Sequence, residues 1–171
     1  MARAAQVPRS SPDFAIDFPS GKQIHTAEYR GKVVALAFIL TTCPHCQKVV
    51  RILSVMQNEY GPRGFQVLAS AIETMAAMNL PDFIKQFQPP FPVGFNSQDP
   101  VQNYLQHPVI FRLLMPQLLF IDREGVIQAQ YAGDDKFFAA DQEKHLREQI
   151  EALLKAGSKK SAAAKAEKKM P

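Results

Sequence analysis

Both cysteines of this 171-residue chain lie in one tetrapeptide, Cys43-Pro44-His45-Cys46. Two thiols at this spacing, where a strand passes into a helix, have the form of a dithiol–disulfide redox pair. At a helix start, unpaired N–H groups and the positive end of the dipole favour a thiolate at Cys43, and a protonated His45 would add positive charge nearby. Cys46, further into the helix, would be the resolving thiol: Cys43 attacks a disulfide, and Cys46 then releases the mixed disulfide. Covalent haem attachment by C-x-x-C-H fails at Gln47. Structural zinc needs about four ligands, and His25, His45, His107 and His145 show no paired spacing to complete a set. Two thiolates alone suit Cu(I), so a copper or other metal chaperone, or a thiol-protein chaperone, is the alternative use of the same sulfurs.

The elements that must position this pair follow from the apolar pattern. Residues 33–39 are continuously apolar and β-prone, as a strand buried on both faces should be. Thr41 or Thr42 can cap a helix that begins at the cysteines and carries Val49, Ile52, Leu53 and Met56 at helical spacing, until Gly61-Pro62-Arg63-Gly64 stops it. A second buried strand is expected over 65–72, a helix over about 79–86 started by Leu80-Pro81-Asp82, a short strand near 91–95 and a helix from Asp99 to Leu105. Residues 116–122 and 126–131, joined by Arg123-Glu124-Gly125, read as a hairpin, and 139–155 as an amphipathic C-terminal helix. Upstream, Phe14, Ile16 and Phe18 alternate before a turn, and Gln23-Ile24-His25 returns. Strands joined through helices imply an α/β domain with a central mixed sheet covered on both faces. The methionines at 75 and 78 and most phenylalanines are expected in the core. Phe91, Phe95 and Phe111 have a second possible use, as the frame of an apolar substrate groove, and His107 is expected in a loop.

Composition is ordinary for a globular protein, with 46% hydrophobic and 21% charged residues. The net charge of +4 does not describe a nucleic-acid-binding face, because residues 158–171 hold five Lys and one Glu and leave 15 basic and 15 acidic residues in 1–157. That Lys/Ala tail is expected to be disordered or a frayed extension of the last helix; residues 1–12 should be a loose arm, and 13–157 the folded domain. Membrane contact would need the tail or an anchor beyond this sequence. No apolar run reaches the roughly 18–20 residues of a membrane span, and the first residues lack the apolar stretch of a signal peptide.

The cysteine pair after a buried strand, with Gly31-Lys32-Val33-Val34 before it and Met115-Pro116-Gln117-Leu118-Leu119-Phe120-Ile121-Asp122-Arg123-Glu124-Gly125 later, resembles the thioredoxin-fold thiol–disulfide oxidoreductases of the TlpA/ResA type, which border the peroxiredoxins. The resemblance covers about residues 13–155. It implies a three-layer α/β/α sandwich with an extra N-terminal hairpin and an inserted helix–strand segment, and no cofactor beyond the Cys43–Cys46 disulfide itself. It implies protein thiol or disulfide substrates, a redox partner protein, a monomer, and an extracytoplasmic setting in bacteria. It makes Pro116 a cis-proline that brings the backbone of Met115 beside the cysteines, where it could pair with a substrate peptide.

The chain departs from the pattern in ways that bear on mechanism. A peroxiredoxin's P-x-x-x-T-x-x-C would place Pro and Thr where Leu36 and Leu40 stand. The usual Trp before the first cysteine is Thr42, the acid often three residues after the second is Val49, and thioredoxin's buried Asp is Ala37. Deprotonation of Cys46 must then rely on water, His45 or another group; Glu73, following the second central strand, is the nearest acid the order of elements offers, unless it is a surface residue at the strand end. Pro44-His45 is the dipeptide of the DsbA-type oxidants, which implies a poise towards roughly −120 mV rather than about −270 mV.

Overall fold

The computed structural model describes the backbone of residues 5–169 and their side chains except those of 158–162. In chain order the strands are β1 (Arg9–Ser10), β2 (Ala15–Asp17), β3 (Gln23–His25), β4 (Val33–Ile39), β5 (Phe65–Ala71), β6 (Val93–Phe95), β7 (Gln117–Ile121) and β8 (Val126–Tyr131). The helices are α1 (Pro44–Tyr60), α2 (Ala76–Phe87), α3 (Gln98–Leu105) and α4 (Gln142–Glu167). All eight strands form one sheet in the order β1-β8-β7-β4-β5-β6-β2-β3. β4, β5 and β6 run parallel, and β7 returns antiparallel beside β4. The sheet is therefore mixed, as the alternation of strands and helices implied.

β4 explains how the two layers differ. Its odd positions, Val33, Ala35, Ala37 and Ile39, face α1, α2 and α4, whereas Val34, Leu36 and Phe38 face α3 and the N-terminal hairpin. In β5, Phe65, Val67, Ala69 and Ala71 lie on the first side and Leu68 on the second. The alanines of both strands let the helix carrying the cysteines approach the sheet, and Leu36, Phe38 and Leu68 fill the layer opposite.

Several boundaries differ from the expectations. Arg9–Ser10 of the arm pairs with β8 at Ile127 and Val126, so that stretch is not loose but closes a sheet edge; residues 1–4 lie outside the described residues. α2 begins at Ala76, after a turn in which the Ala76 amide donates to the Glu73 carbonyl (3.0 Å). Pro81 is thus inside the helix rather than at its start. Its missing N–H falls on the exposed side, where water can serve the orphaned carbonyl. α4 starts at Gln142, three residues later than expected, because a 3₁₀ turn over Lys136–Phe138 precedes it, and it continues as helix to Glu167. Met170 and Pro171 of the basic tail lie outside the described residues.

Candidate active site

The parallel arrangement of β4 and β5 brings their C-terminal ends to one pole of the sheet, and α1 starts there. Cys43 itself, not Thr41 or Thr42, is the N-cap of α1: its backbone is extended, Pro44 occupies the first turn, and its carbonyl accepts the first helical bond from Gln47 N–H (2.9 Å). Among the described residues no side chain caps this end. Proline at this position suits the helix start, since its absent N–H would have no helical partner. Pro44 and His45 are exposed, Cys43 is partly exposed, and Cys46 is fully buried. Both cysteines are free thiols.

The two sulfurs sit in different surroundings. Burial pushes the Cys46 thiol far above its ordinary value; the Cys43 thiol and the Glu73 carboxylate push in the same direction, and only the Leu40 amide, donating to Cys46 Sγ at 3.4 Å, opposes them. The next amide along, Thr41 N–H, donates to Glu73 Oε1 at 3.2 Å. Thr41 Oγ1 donates to the same oxygen, and Asn79 Nδ2 reaches it at 3.4 Å. Successive amides just past the end of β4 therefore hold the Cys46 sulfur and the Glu73 carboxylate. Glu73 Oε2 is buried with no hydrogen-bond partner among the described residues. Glu73 is thus turned into the site rather than out from the strand end.

Met115–Pro116 is a cis peptide bond, as the resemblance implied; Val7–Pro8, which nothing in the sequence analysis singled out, is cis as well. Pro116 is buried and shares a cavity of about 190 Å³ with His45, Val49, Gly133 and Gln142. The Met115 backbone passes over Gly133 so closely that a Cβ there would lie 2.3 Å from the Met115 carbonyl oxygen. Neither the N–H nor the C=O of Met115 has a hydrogen-bond partner among the described residues. Cys43, Cys46, Met115 and Leu40 pack into one cluster, so the residues singled out in the sequence do converge.

Sequence reasoning missed three participants. Thr41, a candidate helix cap alongside Thr42, instead grips Glu73. Asn79, to which the sequence assigns no role beyond the first residue of the expected 79–86 helix, joins the same carboxylate. Gln142 gave no signal: it is buried, donates from Nε2 to the Phe138 carbonyl, and leaves Oε1 without a partner beside the His45 cavity. The core expectation fails for Met75, Met78 and Phe111, all exposed, whereas Phe91 is buried. Three imidazoles are engaged away from the cysteines: His25 with Asp13 (2.6 Å), His107 with the Phe111 carbonyl (3.1 Å) and His145 with the Phe137 carbonyl (3.0 Å).

The family model of AhpC/TSA matches residues 7–130. The thiol-disulfide oxidoreductase ResA of Bacillus thuringiensis subsp. konkukian is 26% identical over 152 residues, covering 88% of this chain and 78% of that protein. ResA of Geobacillus thermodenitrificans is 28% identical over 131 residues, covering 76% and 71%. A Chlorobium tepidum structure described as a thiol:disulfide interchange protein DsbE superposes with a TM-score of 0.73 at 25% identity, covering 90% of this chain and 99% of its own. With the cysteine pair at the head of α1 and the sheet order above, the chain belongs to the AhpC/TSA family, as a thioredoxin-fold thiol–disulfide oxidoreductase of the TlpA/ResA type.

Proposed function

We propose that Cys43 is the nucleophile, Cys46 the resolving thiol and Glu73 the acceptor of the Cys46 proton. The observation that carries this division is the contrast in burial: one sulfur reaches the surface at the helix start, and the other is sealed beneath it. In the reducing direction the Cys43 thiolate attacks a substrate disulfide. A Cys43–substrate S–S bond forms, and the first substrate thiolate leaves. Cys46 then gives its proton to Glu73 and attacks the Cys43 sulfur. The Cys43–Cys46 bond forms, and the second substrate thiolate leaves and takes up a proton. Two electrons have moved from the pair to the substrate; the oxidising direction runs the same steps backwards.

The remaining roles follow from position. The unpaired Met115 edge aligns the substrate backbone as an added strand. His45, exposed in the first turn of α1, and Pro44 set a comparatively oxidising poise. The Cys43–Cys46 disulfide is the only redox group required. Because one pair stores two electrons, a separate redox partner protein must reset it after each turnover, and the chain works as a monomer. Insulin reduction driven by dithiothreitol tests the exchange itself: the wild type accelerates precipitation and Cys43→Ser does not. A glutathione-buffered titration tests the poise, and a midpoint near thioredoxin's rejects the oxidising assignment. Accumulation of a stable mixed disulfide in Cys46→Ser, and its absence in Cys43→Ser, tests which sulfur attacks.

A further inference from the structure

Gln142 opens α4 beside the cysteines, yet the exchange described above makes no use of it. It is only 6% exposed, and its Oε1 is buried without a hydrogen-bond partner among the described residues. An acceptor sealed away and left unpaired carries its full desolvation cost. Turning the amide round does not spare that oxygen, because Nε2 donates to the Phe138 carbonyl, which can only accept. The chain is bent to put the residue there. Asp141, just before it, holds a left-handed backbone at φ +61°, which Asp tolerates better than most side chains. Gln142 then lines the cavity of about 190 Å³ that also takes in His45 and Pro116.

The wall of this cavity narrows what the oxygen can accept. Apart from Gln142, its only polar side chains are His45, Asp134 and Asp135. Ionised carboxylates donate nothing, and Asp135 Oδ1 already accepts from the Phe137 amide at 2.8 Å. The amides of Gly133, Asp135, Phe138 and Ala139 are spent on the carbonyls of Leu114, Ala132, Asp135 and Lys136. The side-chain donor that remains is the His45 imidazole. It stands two residues from Cys43 in the uncapped first turn of α1, and the cavity gives the ring room to turn inward. A partner that can only accept, placed at one ring nitrogen, decides which nitrogen carries the proton.

We propose that Gln142 is a positioning residue for His45: its Oε1 accepts one imidazole N–H and leaves the second ring nitrogen facing Cys43. In the reduced protein that second nitrogen takes the proton of the Cys43 thiol, so a thiolate stands beside an imidazolium. Both N–H groups of the imidazolium then have acceptors, the sulfur on one side and the amide oxygen on the other. A base oriented by a third group is a general way to activate a nucleophile; here the third group comes from the last helix. Stabilising the reduced form makes the disulfide a better oxidant. Of the charged groups near the ring, Asp134 and Asp135 of the loop after β8 favour the imidazolium, and Lys48, one turn on in α1, opposes it. From α4 only the neutral Gln142 lines the cavity. The proposal deepens the reading of His45 as a group that sets the poise, and rests on it.

The test is a glutathione-buffered redox titration of the full chain at neutral pH. Gln142→Leu is expected to lower the equilibrium constant for oxidation of glutathione about tenfold, as loss of one hydrogen bond to a charged group would, which is about 30 mV for this two-electron couple. Gln142→Glu keeps an oxygen in the cavity and is expected to hold the wild-type midpoint or exceed it. In a His45→Ala background Gln142→Leu is expected to change nothing, because its effect runs through the ring. A lowering of the same size in that background overturns the proposal. So does a Gln142→Leu protein that loses stability in urea but keeps the wild-type redox midpoint while His45→Ala lowers it. If His45→Ala itself leaves the midpoint in place, the reading of His45 fails and takes Gln142 with it. Nitrogen NMR of the histidine rings in the wild type decides the matter if Gln142→Leu does not fold. A His45 ring N–H in slow exchange with water supports the contact; a ring that averages freely between its two tautomers overturns it.

Discussion

The two poles of the sheet are built to opposite rules. At the pole where β4 begins, turns are clasped. Arg123 donates from Nη1 to the Gly31 carbonyl (2.9 Å) and from Nη2 to the Arg63 carbonyl (3.1 Å), and Arg30 Nη2 donates to the Ser11 carbonyl (3.0 Å). Asp122 accepts from the amides of Glu124 and Val126 and from Gln128. Gly125 sits at φ +84°, where a Cβ would lie 2.2 Å from the Arg30 guanidinium carbon. At the pole where β4 ends, a helix start is uncapped, a strand edge is unpaired at Met115, and the buried acceptors Glu73 Oε2 and Gln142 Oε1 lack partners. One end ties its turns to one another through long arginine side chains, with only Arg123 Nε left buried and without a partner among the described residues. The other leaves polar groups for a partner, and there the thiols stand.

This contrast can be broken from either end. The largest effect is expected at the open pole: Cys43→Ser should lower disulfide exchange on the order of a thousandfold, measured by insulin reduction, with little change in the urea midpoint. At the clasped pole the signs reverse. Gly125→Val forces a β-branched residue into the left-handed region against Arg30 and should cost about 2–3 kcal/mol in urea denaturation, while exchange per folded molecule is unchanged. A loss of exchange without a loss of stability would show that the poles are coupled.

Glu73→Gln sharpens the account of the open pole. Decay of the mixed disulfide, followed by rapid quench, should slow about tenfold near neutral pH, because the proton acceptor is gone. The smallest effect is a pH dependence. Burial raises the Cys46 pKa in the folded state, so the fold holds a proton that the unfolded chain gives up above about pH 8.5. Stability from this group is fully present below that pH and is lost as pH rises towards the folded value, by at most about 1.4 kcal/mol per pH unit. Denaturation of the dithiol form across pH 7.5–10 checks it, and Cys46→Ser should flatten this part of the curve.

The core of this molecule was legible because its signals are local and dense. A seven-residue apolar run can hardly be anything but a buried strand, and two cysteines two residues apart at its end announce themselves. The Met115-Pro116 hairpin start was legible through resemblance. What escaped depends on contacts distant in sequence. Thr41 and Glu73 are 32 residues apart, and only the parallel pairing of β4 with β5 makes them neighbours. Apolar type misled at Phe111, Met75 and Met78, because residue type is a prior for burial and these exposed positions violate it. The start of α2 escaped because proline is over-represented in the first turn of helices, but here Ala76 and Ala77 precede Pro81 with stronger helix propensity.

The order of the strands has a bearing on how the protein behaves at high concentration. The longest strands, β4 and β5, have seven residues and lie inside the sheet, whereas the end strands β1 and β3 have two and three. These two long segments, of which β4 is fully apolar and would template fibrous stacking if bared, are paired on both sides. The end strands β1 and β3 are too short to recruit another chain. The two residues of β1 thus act as a hem at the start of β8, over Val126 and Ile127, and a chain shortened past Arg9 should show it first as faster aggregation, before any loss of chemistry.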